Sequence, residues 1–134
     1  MKFQQHLRAF TVQALVAGAA LSASFAQALT IQPYSAEALK KLQGGGQAVA
    51  VHFHADWCST CKSQEKALQA LQAQKALPQV TVLVAEYDKE KELRKAMKVP
   101  YQSVLVVFKG STEVARNNGD TSADKLQASL AKAV

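Results

Sequence analysis

The chain has two cysteines, Cys58 and Cys61, set within the run Val51-His52-Phe53-His54-Ala55-Asp56-Trp57-Cys58-Ser59-Thr60-Cys61-Lys62. An apolar run precedes them, and apolar positions at helical spacing follow, so the pair stands at a strand-to-helix junction. A cysteine in the first turn of a helix faces unpaired backbone N–H groups and the positive end of the helix dipole. Both favour thiolate over thiol. Cys58 is therefore the expected nucleophile. Cys61, one turn on and on the same side, can attack a mixed disulfide held on Cys58 and release the bound partner reduced. The expected chemistry is thiol–disulfide exchange, carried by the two sulfurs without a further cofactor.

Other uses of the pair fit less well. A disulfide closing a four-residue loop would contribute roughly 2 kcal/mol and tie together nothing distant. A zinc knuckle needs a second ligand pair, and haem attachment needs His after the second cysteine, where Lys62 stands. The alternative carried forward is a metal-handling module. His52 and His54 are two apart and share a face of a strand, so with the cysteines they offer nitrogen and sulfur to zinc or copper(I). His52 is expected to point into the core, and no metal ligand is assigned. Asp56 and Lys62 flank the pair as modulators of its charge or as plain solvated surface, and Trp57 reads as packing before recognition.

The surrounding pattern supplies the elements that would position these residues. Ser35 heads Ala36-Glu37-Ala38-Leu39-Lys40-Lys41-Leu42, with Gly44-Gly45-Gly46 beyond, the marks of a capped, amphipathic, glycine-stopped helix. Ala48 to Phe53 is a short apolar run expected of a strand covered on both faces. A long helix is expected from Cys58 to about Ala73, then a strand over Val80 to Ala85, a charged helix over Lys89 to Met97 and a strand over Val104 to Phe108. Lys109-Gly110-Ser111-Thr112 reads as a hairpin into Glu113 to Arg116, and Ser122 as the cap of a last helix carrying Leu126 and Leu130. Strand, helix and strand in succession imply a parallel pair, and the hairpin adds antiparallel strands. The fold class is α/β, a central mixed sheet flanked by helices.

The first residues read as an export signal. Lys2 and Arg8 precede an uncharged stretch from Ala9 to Ser24 rich in Ala, Val and Leu, and Ala26-Gln27-Ala28 offers the small residues a signal peptidase selects. The densest apolar run, Ala14 to Leu21, is far shorter than the roughly 20 residues that cross a bilayer. Residues 1–28 are expected to be removed, leaving residues 29–134 as one exported domain in the periplasm, where disulfide chemistry is permitted. The net charge of +6 loses two units with that segment. The remaining basic residues are interleaved with acids, as in Lys89-Glu90-Lys91-Glu92, which argues against nucleic-acid binding.

The stretch from Phe53 to Lys62 resembles the active-site segment of the thioredoxin superfamily. Ala-Asp-Trp-Cys-x-x-Cys-Lys is especially similar to the thioredoxin-like domain of DsbD-type membrane reductases. The likeness extends through Val80 to Asp88, Val104 to Gly110 and the Ser122-headed helix. It implies a thioredoxin fold with helices on both faces of the sheet, an exposed first cysteine, a shielded second one and a tryptophan packed beside them. The implied partners are protein or small-molecule disulfides and a membrane or periplasmic thiol donor, acting on a monomer.

Three departures stand out. Ser59-Thr60 replaces the family's Gly-Pro between the cysteines, where the dipeptide tunes reduction potential, so oxidant and reductant both stay open. His52 stands where the family has a buried Asp, as a proton acceptor for Cys61 or as an idle core histidine. Counting back from Phe108 puts Ser103, not Pro100, at the family's cis-proline position opposite the cysteines. The expected site is Cys58, Cys61 and His52, surrounded by Trp57, Ser59, Thr60, Asp56 and Ser103.

Overall fold

The computed structural model describes residues 28–134, so the export-signal reading of residues 1–28 lies outside the described residues except for Ala28. In chain order the elements are β1 (Thr30–Pro33), α1 (Ala36–Gly44), β2 (Ala48–His54), α2 (Ser59–Ala73), β3 (Val80–Glu86), α3 (Lys91–Ala96), β4 (Val104–Lys109), β5 (Thr112–Asn118) and α4 (Ala123–Ala131). They build a five-stranded sheet in the order β1-β3-β2-β4-β5. β3 runs parallel to both β1 and β2, while β4 runs antiparallel to β2 and β5. This is the mixed sheet expected, with helices on both faces.

The pleat of β2 sorts its residues between two cores. Ala48 and Ala50 face α2 and α4, where Leu68, Leu71, Leu126 and Leu130 pack on Val82, Leu105 and Val107. Val49, Val51 and Phe53 face the other way, onto Leu39 of α1 and, at its margin, Leu93 of α3. Burying Phe53 fully contributes about 2–3 kcal/mol. The same alternation of side chains places His52 on the α2 face. There its ring lies edge-on to that of His54, with centroids 5.7 Å apart.

Two terminal details differ from expectation. β1 was not foreseen. It has four residues, ends in Pro33 and lies at the sheet edge, paired only with β3, so it shows neither the length nor the apolar run of a central strand. Ser35 caps α1 as expected, accepting from the N–H of Ala38 at 3.1 Å, but Ser122 makes no side-chain bond to α4. The hairpin between β4 and β5 turns through Gly110 at φ +58°, a conformation glycine adopts without penalty.

Candidate active site

β2 ends at His54, the chain turns through Ala55, Asp56 and Trp57, and the N–H of Cys58 returns to the carbonyl of Ala55 at 3.0 Å. Cys58 is thereby the N-cap of α2 rather than a residue of its first turn, extended at φ −93° and ψ 111°. Its Sγ accepts the N–H of Cys61 at 3.1 Å, the bond a capping Ser or Asp oxygen would make. Both cysteines are free thiols.

Opposite them, Ser103 in the loop before β4 extends its Oγ to 3.2 Å from Cys58 Sγ and 3.3 Å from Cys61 Sγ. The backbone of Ser103 is held from three directions. Its N–H donates to the carbonyl of Phe53 at 3.0 Å, and its own carbonyl accepts from Gly119 N–H at 2.9 Å and Gln64 Nε2 at 3.0 Å. These bonds maintain a φ of +68°, which a non-glycine residue adopts at a cost. The position facing the sulfurs is thus Ser103. Pro100 is exposed, and its carbonyl accepts the Tyr87 hydroxyl at 3.0 Å.

The two sulfurs are driven apart electrostatically. Burial pushes the Cys58 thiol up, but hydrogen bonds from Cys61, the Ser103 hydroxyl and Gln102 outweigh it and hold Cys58 below the ordinary cysteine value. For Cys61, burial and the adjacent Cys58 sulfur together push the thiol above its usual range. Of the two, Cys58 is the one that ionises first, and Cys61 the one that keeps its proton longer.

Two expectations about this environment are corrected. Cys58 is not an exposed sulfur: it is 5% exposed and Cys61 is fully buried. The reason is the cap itself, which folds the side chain back over the helix mouth and beneath Ser103. Nor does Trp57 pack beside the pair. It is 63% exposed, its indole N–H donates to Asp88 Oδ2 at 2.7 Å, and Tyr87 takes the packing position against Ala55, Cys58 and Cys61. Ser59 is exposed and Thr60 half-buried at the start of α2. Asp56 is exposed and lies 3.3 Å from His54 Nε2.

His52 is fully enclosed and meets Gln64 rather than Cys61, with Nε2 and Oε1 2.9 Å apart. Gln64 Nε2 contacts two backbone carbonyls, those of Ser103 at 3.0 Å and Asp120 at 2.9 Å. Carbonyls only accept, so the amide NH₂ must point there and Oε1 must face the imidazole. His52 Nε2 therefore carries hydrogen and donates. Burial, the leading cause, lowers its pKa to about 4, against the Gln64 bond that raises it. The ring is neutral at pH 7, and the route from it to the sulfurs runs through Gln64 and Ser103. Among the described residues, no three His, Cys, Asp or Glu side chains come together in a group that could hold a metal ion.

Gln64 is the site residue that sequence reasoning missed. Its signal is its spacing: Cys61, Gln64, Leu68 and Leu71 form the buried stripe of α2, and a glutamine in an apolar stripe must find buried partners.

A family model described as Thioredoxin matches residues 30–132. A thioredoxin of Chlamydia trachomatis is 35% identical over 78 residues, covering 58% of this chain and 74% of that protein. The thioredoxin of Chlamydia muridarum is 34% identical over 84 residues, covering 63% and 80%. Among solved structures, Trxlp from Edwardsiella tarda EIB202 superposes with a TM-score of 0.71 at 36% identity, covering 75% of this chain and 98% of that one. The thioredoxin of Malassezia sympodialis shares the fold, with a TM-score of 0.65 at 20% identity over 78% and 93% of the two chains. With its five-stranded mixed sheet and a CxxC pair capping the helix that follows β2, this chain belongs to the thioredoxin family of redox proteins.

Proposed function

We propose that the protein is an exported thiol–disulfide oxidoreductase in which Cys58 attacks and Cys61 resolves. The observation that carries this reading is the Cys58 cap: its sulfur accepts the Cys61 N–H at 3.1 Å, an arrangement that stabilises thiolate. In the reducing direction, the Cys58 thiolate displaces one thiolate from a substrate disulfide and forms a mixed disulfide. Cys61 then attacks Cys58 Sγ, the Cys58–substrate bond breaks, and the second substrate thiol leaves as the Cys58–Cys61 bond closes. Two electrons pass from the pair to the substrate. Restoring the dithiol calls for a thiol donor in the same compartment, membrane-bound or periplasmic.

The limited opening over Cys58 suits an extended disulfide segment laid across the helix mouth. Trp57, immediately before Cys58, and Tyr101, two residues before Ser103, are exposed aromatics that offer such a segment apolar surface. Insulin fits the proposed substrate class as a protein disulfide, and a dithiol dye as a small one. Reduced wild type turns over both, Cys58→Ser abolishes turnover, and Cys61→Ser arrests at the mixed disulfide; a wild type inert towards both substrates contradicts the reading.

Export to the periplasm is supported by Lys2, Arg8, the uncharged stretch after them and Ala26-Gln27-Ala28. It predicts a protein recovered from the periplasmic fraction with Leu29 as its first residue. Recovery in the cytoplasmic fraction with Met1 intact would contradict it.

A further inference from the structure

Resolution requires Cys61 to lose a proton as its sulfur bonds to Cys58, and that proton needs an acceptor within reach. His52 Nε2 already carries hydrogen and gives it to Gln64. The carbonyl of Phe53 lies 3.8 Å from Cys61 Sγ and can accept a thiol hydrogen bond, but a carbonyl cannot pass the proton on. The Ser103 hydroxyl is different. It is one donor and two acceptor sites on a single atom, and that atom lies within hydrogen-bond reach of both sulfurs, 3.3 Å from Cys61 and 3.2 Å from Cys58.

We propose that Ser103 is a catalytic residue that relays the proton of Cys61 to the departing substrate sulfur. This rests on the exchange reading above and adds a step to it. In the resting dithiol, Ser103 accepts from Cys61 S–H and donates to the Cys58 sulfur. In the mixed disulfide, the departing sulfur is one S–S bond from Cys58 Sγ, the atom that lies 3.2 Å from the same hydroxyl. As Cys61 Sγ attacks, its proton passes to Ser103 Oγ while the Ser103 hydroxyl proton passes to the leaving sulfur. The Cys58–substrate S–S bond breaks, the Cys58–Cys61 S–S bond forms, the substrate leaves as a neutral thiol, and Ser103 ends as it began. No serine alkoxide is formed and no outside base is consumed.

The position is built to hold that one atom still. The Ser103 backbone is bonded on both sides, to Phe53 and to Gly119 with Gln64, and its side chain is buried at 5% exposure. Proline here would supply neither the hydroxyl nor the N–H that meets Phe53. Cys61, pushed up by burial and by the neighbouring sulfur, has most to gain from assistance.

The test separates the two steps of exchange. Reduced full-length protein is mixed with bis(2-hydroxyethyl) disulfide, quenched in acid at successive times, and the mixed disulfide measured by intact mass. Wild type resolves it at pH 7 with little accumulation. Ser103→Ala and Ser103→Gly form it somewhat more slowly, since Cys58 loses one of the hydrogen bonds that hold its thiol down, but resolve it roughly 10²-fold more slowly, the usual worth of a positioned proton transfer. The deficit shrinks as pH rises through the Cys61 thiol range, because Cys61 then ionises unaided. Glycine relaxes the +68° backbone and alanine does not, so equal defects in the two assign the effect to the hydroxyl. Resolution at the wild-type rate in both variants overturns the relay, as does a deficit that persists unchanged at high pH. A wild type that forms no mixed disulfide overturns the exchange reading together with the relay, whereas normal wild-type exchange with unaffected variants overturns the relay alone.

Discussion

His52 Nε2 donates to Gln64 Oε1 at 2.9 Å, joining a fully buried imidazole to the amide that holds the Ser103 loop over the cysteines. The pair makes a protonation state in the core a condition of the site's geometry. Its consequences are measurable in stability as well as in chemistry.

The first concerns acid. His52 is lowered to about 4 in the folded protein, against about 6.5 for a free histidine, chiefly by burial. The folded state thus binds fewer protons than the unfolded state between those values. The stabilising contribution is complete above pH 6.5 and is lost as pH falls towards 4, in total roughly 3 kcal/mol. Urea midpoints taken at pH 7.5 and pH 4 should show this loss in wild type. His52→Gln should remove most of it, and an equal acid loss in both proteins would contradict the account.

The second concerns Gln64. Gln64→Leu leaves the His52 N–H and the carbonyls of Ser103 and Asp120 each short of a buried partner. At about 1–3 kcal/mol for each unsatisfied group, the total is roughly 3–6 kcal/mol, allowing for some rescue by water and by the Gly119 N–H on Ser103. Urea unfolding at pH 7.5 measures it. A change below 1 kcal/mol would show that the network is not what secures the loop.

The third uses the single tryptophan. Trp57 is exposed and its indole N–H ends on Asp88, also exposed. Asp88→Ala should cost below about 1 kcal/mol, as for other surface pairs, while shifting Trp57 emission to the red as the indole enters water. A large stability loss without a spectral change would place Trp57 in the core instead.

Much of the fold was legible because its central strands are dense apolar runs and its helices have marked starts and stops. β2, β3 and β4 follow from Ala48 to Phe53, Val80 to Ala85 and Val104 to Phe108, and the hairpin from Lys109 to Thr112. β1 was not legible, since an edge strand of four residues ending in proline draws its stability from pairing with β3 rather than from its own pattern. At the site, the CxxC spacing pointed to both sulfurs, and a count of positions pointed to Ser103. The enclosure of Cys58 and the outward turn of Trp57 were not readable. The first depends on a loop 45 residues away along the chain that closes over Cys58, the second on Asp88, 31 residues on, and local spacing encodes neither. Gln64 bridges His52, Ser103 and Asp120, three segments distant in sequence, and only the tertiary structure brings them together.

Exchange at this site depends most directly on the split between the two thiols. Thiolate absorbance near 240 nm, followed against pH in wild type, Cys58→Ser and Cys61→Ser, reads each sulfur. The first ionisation should lie below the ordinary cysteine value and vanish with Cys58→Ser, and the second should lie above it and vanish with Cys61→Ser. If both thiols titrate as free cysteine does, or if Cys61 ionises first, the capped sulfur of Cys58 is not the nucleophile.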